Sequence, residues 1–332
     1  MSPADAPDRN PSVYVMPDGM PLAVDVALAT GRPLLLRGDP GSGKSSLARH
    51  IAHQRKWRYY EHVVTARTQA RDLLWTYDSV HRLADAQTRW AREERYEWQD
   101  HRYVEPGVLW WAFAPGRARR RGVPGDGPLP AGFEATDPCR PRDGEVSGNH
   151  AVVLVDEIDK ADPDLPNGLL VPLGSGEFDV SDIGETVRKE APAGAAAGAG
   201  AQHLVVVTTN EERELPPAFL RRCVVAWVPD ADHGKLVEIA VAHLAAEEGA
   251  VTAADRALAD ALAGALVEAR EQAVAANLRK PSTAEFLDAF RACRQTGVRP
   301  GDDRWELLRR LVLVKTRPTA GVAAAGGGGG GR

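Results

Sequence analysis

The sequence lacks most of the features that mark secreted, zinc-stabilised or membrane-spanning proteins. Of its 332 residues only three are cysteines, an odd number with no Cys-x-x-Cys pair, which argues against a disulfide framework or a zinc site. No apolar run approaches the ~20 residues that are needed to span a bilayer. The first residues are polar and acidic and include prolines, so they do not resemble a signal peptide. Together these absences predict a cytoplasmic protein with no membrane partner.

The chain also lacks a large excess of charge of either sign. Its formal net charge is −5, which gives no bulk attraction to nucleic acid, so a nucleic-acid partner is not expected. The arginines at positions 117 and 119–121 form one local basic cluster. The preferred interpretation of this cluster is a solvated loop, and the alternative is contact with nucleic acid or an acidic partner.

What the chain does contain is a series of short apolar runs that alternate with helical patterns. Such runs are typical of parallel strands that are buried on both faces. Residues 19–229 are therefore predicted to form an α/β domain with a doubly wound, five-stranded parallel sheet. Its candidate strands are residues 34–36, 59–64, 151–155, 204–208 and 224–228.

The pattern changes near residue 230, where the strand signals stop. Amphipathic helices and two capping boxes, Thr252 with Asp255 and Ser282 with Glu285, predict a small all-helical domain over residues 230–316. Other segments are aperiodic or consist of small residues. They are interpreted as a flexible N-terminal arm (1–18), insertions near 78–105, 116–150 and 190–202, and a disordered glycine-rich tail (317–332).

Residues 38–45 read GDPGSGKS and match the pattern G-x-x-x-x-G-K-S/T between a predicted strand and a predicted helix. The glycines permit a tight turn whose backbone N–H groups point at phosphate oxygens, and the helix that follows adds its positive end. Lys44 would bridge the β- and γ-phosphates of ATP, and the Ser45 hydroxyl would hold Mg²⁺. The predicted nucleotide-binding residues are Gly38, Asp39, Pro40, Gly41, Ser42, Gly43, Lys44, Ser45 and Ser46.

Two further predicted strands end in polar residues that suit the same chemistry. The third strand is followed by Asp156 and Glu157, and paired carboxylates avoid the end of a buried strand unless a positive group neutralises them. Asp156 can act at the metal by accepting from magnesium-bound water, and Glu157 can polarise the attacking water as general base. The fourth strand is followed by Asn210, whose amide would reach the γ-phosphate and that water. Glu157 and Asn210 are therefore predicted to be catalytic.

Two adjacent arginines, Arg221 and Arg222, end a short helical pattern that follows Pro216. An arginine here can act on a neighbouring subunit as a finger that stabilises charge on the transferred phosphoryl group. The alternative is a surface pair that satisfies the helix dipole. Arg222 is the catalytic candidate, and the choice between it and Arg221 is open.

The combined motifs resemble those of AAA+ ATPases, and more narrowly those of the MoxR-like branch. They are GDPGSGKS (38–45), VVLVDEIDKA (152–161), VVVTTN (205–210) and LPPAFLRRC (215–223). The resemblance spans about residues 20–315 and implies a P-loop NTPase core followed by a helical lid domain. It identifies residues 38–46 as the Walker A loop, Asp156 and Glu157 as the Walker B pair, Asn210 as sensor 1 and Arg222 as the arginine finger.

The same resemblance implies features outside the central motifs. Sensor 2, a basic residue that contacts the nucleotide from the lid, would be Lys280 or Arg279, although both lie just before the helix start at Ser282. A β-hairpin is expected at residues 176–188. An insertion that faces substrate or the ring pore is expected between residues 65 and 107.

The resemblance implies an ATPase that uses ATP and Mg²⁺ and hydrolyses ATP between protomers of a ring-shaped homo-oligomer, with six subunits expected. Its output would be chaperone-like remodelling of a client protein, together with a von Willebrand factor A domain partner. Two other functions are alternatives. The net charge argues against a nucleic-acid-stimulated motor, and the presence of Glu157, Asn210 and Arg222 argues against a slow nucleotide-gated switch.

Overall fold

The computed structural model describes residues 10–89, 100–130, 132–139, 149–190 and 202–313. Two compact units divide the chain between Asp230 and Ala231. Residues 1–9 of the predicted arm, most of the insertion near 190–202, and the predicted tail lie outside the described residues. Among the helices in the described ranges, none combines the length and the apolar composition that crossing a bilayer requires.

A five-stranded parallel sheet forms the centre of the first unit, as the sequence predicts. Its strands are β1 (Leu34–Arg37), β2 (Arg58–Val63), β5 (Ala151–Asp156), β8 (His203–Thr209) and β9 (Val224–Trp227). They lie in the order β2-β5-β8-β1-β9, and the register pairs Val155 with Val207 and Arg37 with Thr209. Because the strands are parallel, their carboxyl ends share one edge of the sheet.

Both faces of the sheet are covered by helices, which explains why its strands are apolar throughout. Leu34 and Leu36 belong to the core that includes α1 (Met20–Thr30) and α2 (Lys44–Arg55). Leu35, which lies between them, belongs to the other core, together with α4 (Val108–Phe113). Successive side chains of a strand thus enter two different cores.

The first unit also contains two antiparallel strand pairs. β3 (Trp75–Tyr77) pairs with β4 (Val104–Pro106), and α3 (Ser79–Arg89) lies between them in the chain, within the segment predicted as the first insertion. β6 (Glu177–Val180) pairs with β7 (Glu185–Arg188), where the hairpin was expected. The remaining helices of this unit are short: α5 (Pro115–Arg119), α6 (Asp164–Gly168), α7 (Leu170–Ser175) and α8 (Pro217–Leu220).

The segment 116–150 differs from the surface loop that the sequence suggests. Its described part contains most of α5, and Ala118 and Ala135 are buried in the core that also holds Trp110. Phe133 is buried as well. These apolar residues are isolated and irregularly spaced, so they give no periodic signal in a single sequence.

The described part of the predicted arm, residues 10–18, is packed rather than loose. Tyr14 and Met16 pack against the core that contains α2. The ring of Tyr14 lies 5.6 Å from the ring of His50, whose Nδ1 lies 2.9 Å from the carbonyl oxygen of Pro11. Polar residues and prolines give this segment the composition of a linker, yet Tyr14, Met16 and Pro11 all contact the core or the helix α2.

The second unit, within the described residues, is helical. Its helices are α9 (His233–Glu248), α10 (Ala253–Ala275), α11 (Thr283–Thr296) and α12 (Trp305–Val312). Leu236, Leu262 and Phe286 lie in its core. Both predicted capping boxes are present, at the first residues of α10 and of α11, so the side chains that cap these helices also fix where they begin.

Candidate active site

The loop between β1 and α2 contains residues 38–43, and two of its glycines are required by its shape. Gly38 has a φ of 147°, and a Cβ atom there would lie 2.6 Å from the carbonyl oxygen of Val228. Gly43 has a φ of 95° and caps α2. The first turn of α2 has no acidic residue, so the positive end of this helix is available to an anion.

Lys44 is the first residue of α2, and its side chain folds back over the loop. The ammonium group is buried, with 6% of the residue exposed. It donates to the carbonyl oxygens of Gly38 (2.8 Å) and Asp39 (2.9 Å) and to Oδ1 of Asn210 (2.8 Å). Burial lowers the pKa of Lys44, and the nearby carboxylates of Asp156 and Asp159 oppose this effect.

The hydroxyl of Ser45 and the carboxylate of Asp156, the two predicted magnesium ligands, meet beside Lys44. Ser45 Oγ donates to Asp156 Oδ1 at 2.8 Å, and Thr208 Oγ1 donates to the same oxygen at 2.5 Å. Hydroxyl and carboxylate oxygens are the ligands that Mg²⁺ prefers, usually completed by water and substrate phosphates. The Oγ of Ser42 is buried in the loop and has no hydrogen-bond partner among the residues that the structure describes. Both observations fit a site that a phosphate group and its metal complete.

Glu157 follows Asp156 with a backbone conformation that is rare for a side-chain-bearing residue. Its φ is 60°, and its N–H donates to Thr208 Oγ1 at 2.8 Å. Such a conformation costs about 1–3 kcal/mol and persists where the surroundings impose it, often at active sites. The carboxylate accepts from Lys160 Nζ at 2.5 Å and from Asn210 Nδ2 at 3.2 Å.

Asn210, the predicted sensor, joins the two halves of the site. Its side-chain oxygen accepts from Lys44, and its side-chain nitrogen donates to Glu157. One amide therefore connects the cation of the loop to the candidate general base. This contact is possible because β8 lies between β5 and β1, so the three strand ends are neighbours.

Three residues of the site were not identified from the sequence: Thr208, Asp159 and Lys160. Asp159 is 2% exposed, and its Oδ2 accepts from the backbone N–H groups of Asn210 (3.2 Å) and Glu212 (2.9 Å). It thereby ties the loop after β8 to the turn after β5. The sequence signals Asp159 only as a third carboxylate shortly after Asp156 and Glu157. Its hydrogen-bond partners depend on the strand order, which the sequence does not give.

The predicted finger lies near the amino ends of the strands, opposite the carboxyl ends that carry the phosphate loop. The register pairs Val224 of β9 with Leu34 of β1, so Arg222 lies beside the amino end of β1, whereas the loop with Lys44 leaves its carboxyl end. Both Arg221 and Arg222 are exposed. The structure thus does not bring Arg222 to the Lys44 site of its own chain.

The predicted sensor 2 residues belong to the second unit. Arg279 and Lys280 lie between α10 and α11, and Arg279 pairs with Glu285 at 3.4 Å. Lys280 as a nucleotide contact stays a prediction. Ser46 lies in the first turn of α2, next to Ser45.

Comparison with solved structures gives many distant matches. RuvB of Thermotoga maritima, a Holliday junction branch migration motor, is 14% identical, with 88% of this chain and 73% of that chain covered and a TM-score of 0.36. Domain III of the T. maritima replication initiation protein DnaA is 13% identical, with 93% and 98% covered and a TM-score of 0.43. NtrX from Brucella abortus is 13% identical, with 92% and 56% covered and a TM-score of 0.40.

Among curated proteins, no sequence matches this chain. The comparison with protein families is decisive, because one family model spans more than half of the chain. The model of the AAA domain (dynein-related subfamily) matches residues 33–223. This range begins just before β1 and ends just before β9, and it includes the phosphate loop, the acidic pair, Asn210 and both arginines. The chain belongs to the AAA domain family, in its dynein-related subfamily.

Proposed function

We propose that this protein binds ATP with Mg²⁺ and hydrolyses it at the γ-phosphate. The observation that carries the proposal is the amide of Asn210, which connects Lys44 on the phosphate loop to Glu157 at the end of β5. A cation suited to phosphate and a carboxylate suited to activating water are thereby held one side chain apart. The family assignment supports an ATPase in general terms.

Each residue has a distinct role in this proposal. Lys44 and the N–H groups of the loop neutralise the phosphates. Glu157 accepts a proton from the attacking water, and Asn210 orients that water against the γ-phosphate. Mg²⁺, held through Ser45 and Asp156, would neutralise charge on the phosphate oxygens as the phosphoryl group is transferred.

The position of the arginine pair supports hydrolysis between subunits. In one chain the pair and the phosphate loop lie at opposite ends of β1, a strand of four residues. A strand rises about 3.3 Å per residue, so the two ends are on the order of 10 Å apart before loops are added. A neighbouring copy in a ring can present Arg222 to this site, and for this reason we propose a ring-shaped homo-oligomer. The proposed number of six subunits rests only on the MoxR-like resemblance.

We further propose a MoxR-like remodelling ATPase that acts on a client protein with a von Willebrand factor A domain partner. The support is the order of the motifs and the β6–β7 hairpin, which lies between the acidic pair and β8. The net charge of −5 favours a protein client over nucleic acid. Stimulation of ATP turnover by DNA, without stimulation by candidate proteins, would contradict this choice of client.

Lys280 or Arg279 is proposed as the nucleotide contact from the helical unit.

Replacing Lys44 by alanine tests nucleotide binding. Lys44→Ala removes the buried cation, so we expect no measurable binding of a fluorescent ATP analogue at concentrations that saturate the unaltered protein. The matched control is Lys235→Ala, which removes a half-buried lysine of α9 that pairs with Glu238 and should leave binding unchanged. Unchanged affinity in Lys44→Ala would show that the loop does not hold the phosphates.

Replacing Glu157 by glutamine tests its role as general base. Glu157→Gln keeps an oxygen that can accept from Asn210 but removes the basic carboxylate. We expect ATP binding to persist and the turnover number to fall about 10²-fold or more, as measured by phosphate release. Glu271→Gln, which neutralises an exposed carboxylate of α10 in the helical unit, is the control. If turnover were negligible before and after the change, the slow nucleotide switch would be the better reading.

The two arginines are distinguished by single substitutions. If Arg222 is the finger, Arg222→Ala should lower turnover by about 10³-fold with little change in ATP affinity, because its own nucleotide site is untouched. Arg221→Ala should then have a much smaller effect. The opposite ranking would assign the finger to Arg221, and full turnover in both variants would remove this pair from the reaction.

A further inference from the structure

An open cavity lies at the amino end of β1, away from the phosphate loop. Its volume is about 510 Å³. Three guanidinium-bearing residues line it, Arg32, Arg221 and Arg222, beside the apolar side chains of Leu173 and Phe219. Arg32 lies between α1 and β1 and is exposed, and no motif of the site includes it.

Arg32 is bound to the backbone of the arginine pair. Its Nε donates to the carbonyl oxygen of Arg222 at 3.0 Å, and its terminal NH2 nitrogen donates to the carbonyl oxygen of Arg221. These carbonyls directly follow the four-residue helix α8, so the guanidinium of Arg32 satisfies acceptors at its end. The N–H of Val224 donates to the carbonyl oxygen of Pro33 at 2.8 Å. Residues 32–33 are therefore hydrogen-bonded to residues 221, 222 and 224.

The contacts of Arg32 differ from those of an ordinary surface arginine. Within the described residues its guanidinium forms no ion pair with a carboxylate, and both of its hydrogen bonds go to main-chain oxygens of one turn. A planar guanidinium that donates to two successive carbonyls fixes the orientation of both peptide units. The directions in which Arg221 and Arg222 leave the backbone are fixed with them.

The side chains of the pair are differently engaged. Arg222 Nη1 donates to the carbonyl oxygen of Ala218 at 3.3 Å, whereas the guanidinium of Arg221 makes no hydrogen bond or ion pair within the described part of the chain. Both can be extended outward from a turn that is itself held to the sheet. Rigid backbone with extendable side chains is the arrangement that a residue acting on a neighbouring subunit needs.

We propose that Arg32 is a positioning residue for hydrolysis in the neighbouring subunit. It holds the turn that carries Arg221 and Arg222 in the geometry in which one of them reaches the neighbour's phosphoryl group. This inference rests on the proposed hydrolysis between subunits. It adds that the finger depends on a third arginine, which contacts no nucleotide.

The test measures turnover, ATP affinity and thermal stability for Arg32→Ala and Arg32→Lys in the full chain. A displacement of about 1 Å can cost 10²-fold in rate, so we expect Arg32→Ala to lower turnover about 10- to 100-fold with ATP affinity unchanged. Arg32→Lys keeps one donor group, so its turnover should lie between that of Arg32→Ala and that of the unaltered protein. Arg55→Ala is the control, because Arg55 is an exposed arginine of the same unit whose side chain pairs with Asp25 of α1 at 3.2 Å.

A double-substitution cycle separates positioning from a general loss of structure. If Arg32 acts through the finger, adding Arg32→Ala to Arg222→Ala, or to Arg221→Ala if that is the finger, should cause no further loss of turnover. An additional loss of the same size as in the unaltered background would overturn the proposal. A parallel loss of ATP affinity and thermal stability in both Arg32 variants would also overturn it.

Mixing of subunits tests the action on the neighbour. Chains with Arg32→Ala keep the Lys44 site, and chains with Lys44→Ala keep the positioned arginines, so mixed assemblies should turn over ATP faster than the sum of the two alone. No gain on mixing, with both proteins still assembled, would overturn the proposal. If single substitutions of Arg221 and Arg222 leave turnover intact, hydrolysis between subunits itself fails. A large finger effect without Arg32 dependence refutes only the role of Arg32.

Discussion

The buried ammonium group of Lys44 is the constraint on which the site depends. A charge removed from water must be compensated, and here three neutral oxygens do so, two from the loop and one from Asn210. The carboxylates of Asp156 and Asp159 lie near enough to oppose the loss of its proton. Burial nevertheless lowers the pKa of Lys44. Among the described residues its ammonium group makes no direct ion pair, so a bound phosphate would supply the countercharge.

Strand β1 connects two sites that have different functions in the proposal. The phosphate loop leaves its carboxyl end, and the turn with Arg221 and Arg222 is hydrogen-bonded beside its amino end. In a ring, each subunit would present its phosphate loop to one neighbour and its arginine turn to the other, so both ends of β1 would be used. Any shift of β1 on nucleotide binding would then move the arginines as well, because Arg32 and Pro33 join that turn to the start of the strand.

Features formed by contiguous residues can be predicted from the sequence, whereas contacts between distant segments depend on the strand order and register and cannot. The five strands, the phosphate loop and both capping boxes are local patterns, and the structure has all of them. The contacts of Thr208, Asp159 and Arg32 join segments far apart in the chain, so they require the strand order. The packed residues near Tyr14 and Ala118 have the sequence pattern of an arm and a loop, because single apolar side chains produce no periodic signal.

The proposed hydrolysis of ATP takes place between two copies of this chain. The most direct test is the rate of phosphate release per chain, measured with ATP and Mg²⁺ over a dilution series that spans assembly. The rate per chain should rise with protein concentration and level off when assembly is complete, because a single chain holds Lys44 and Arg222 at opposite edges of its sheet. A rate per chain that is the same for monomer and assembly would contradict the account.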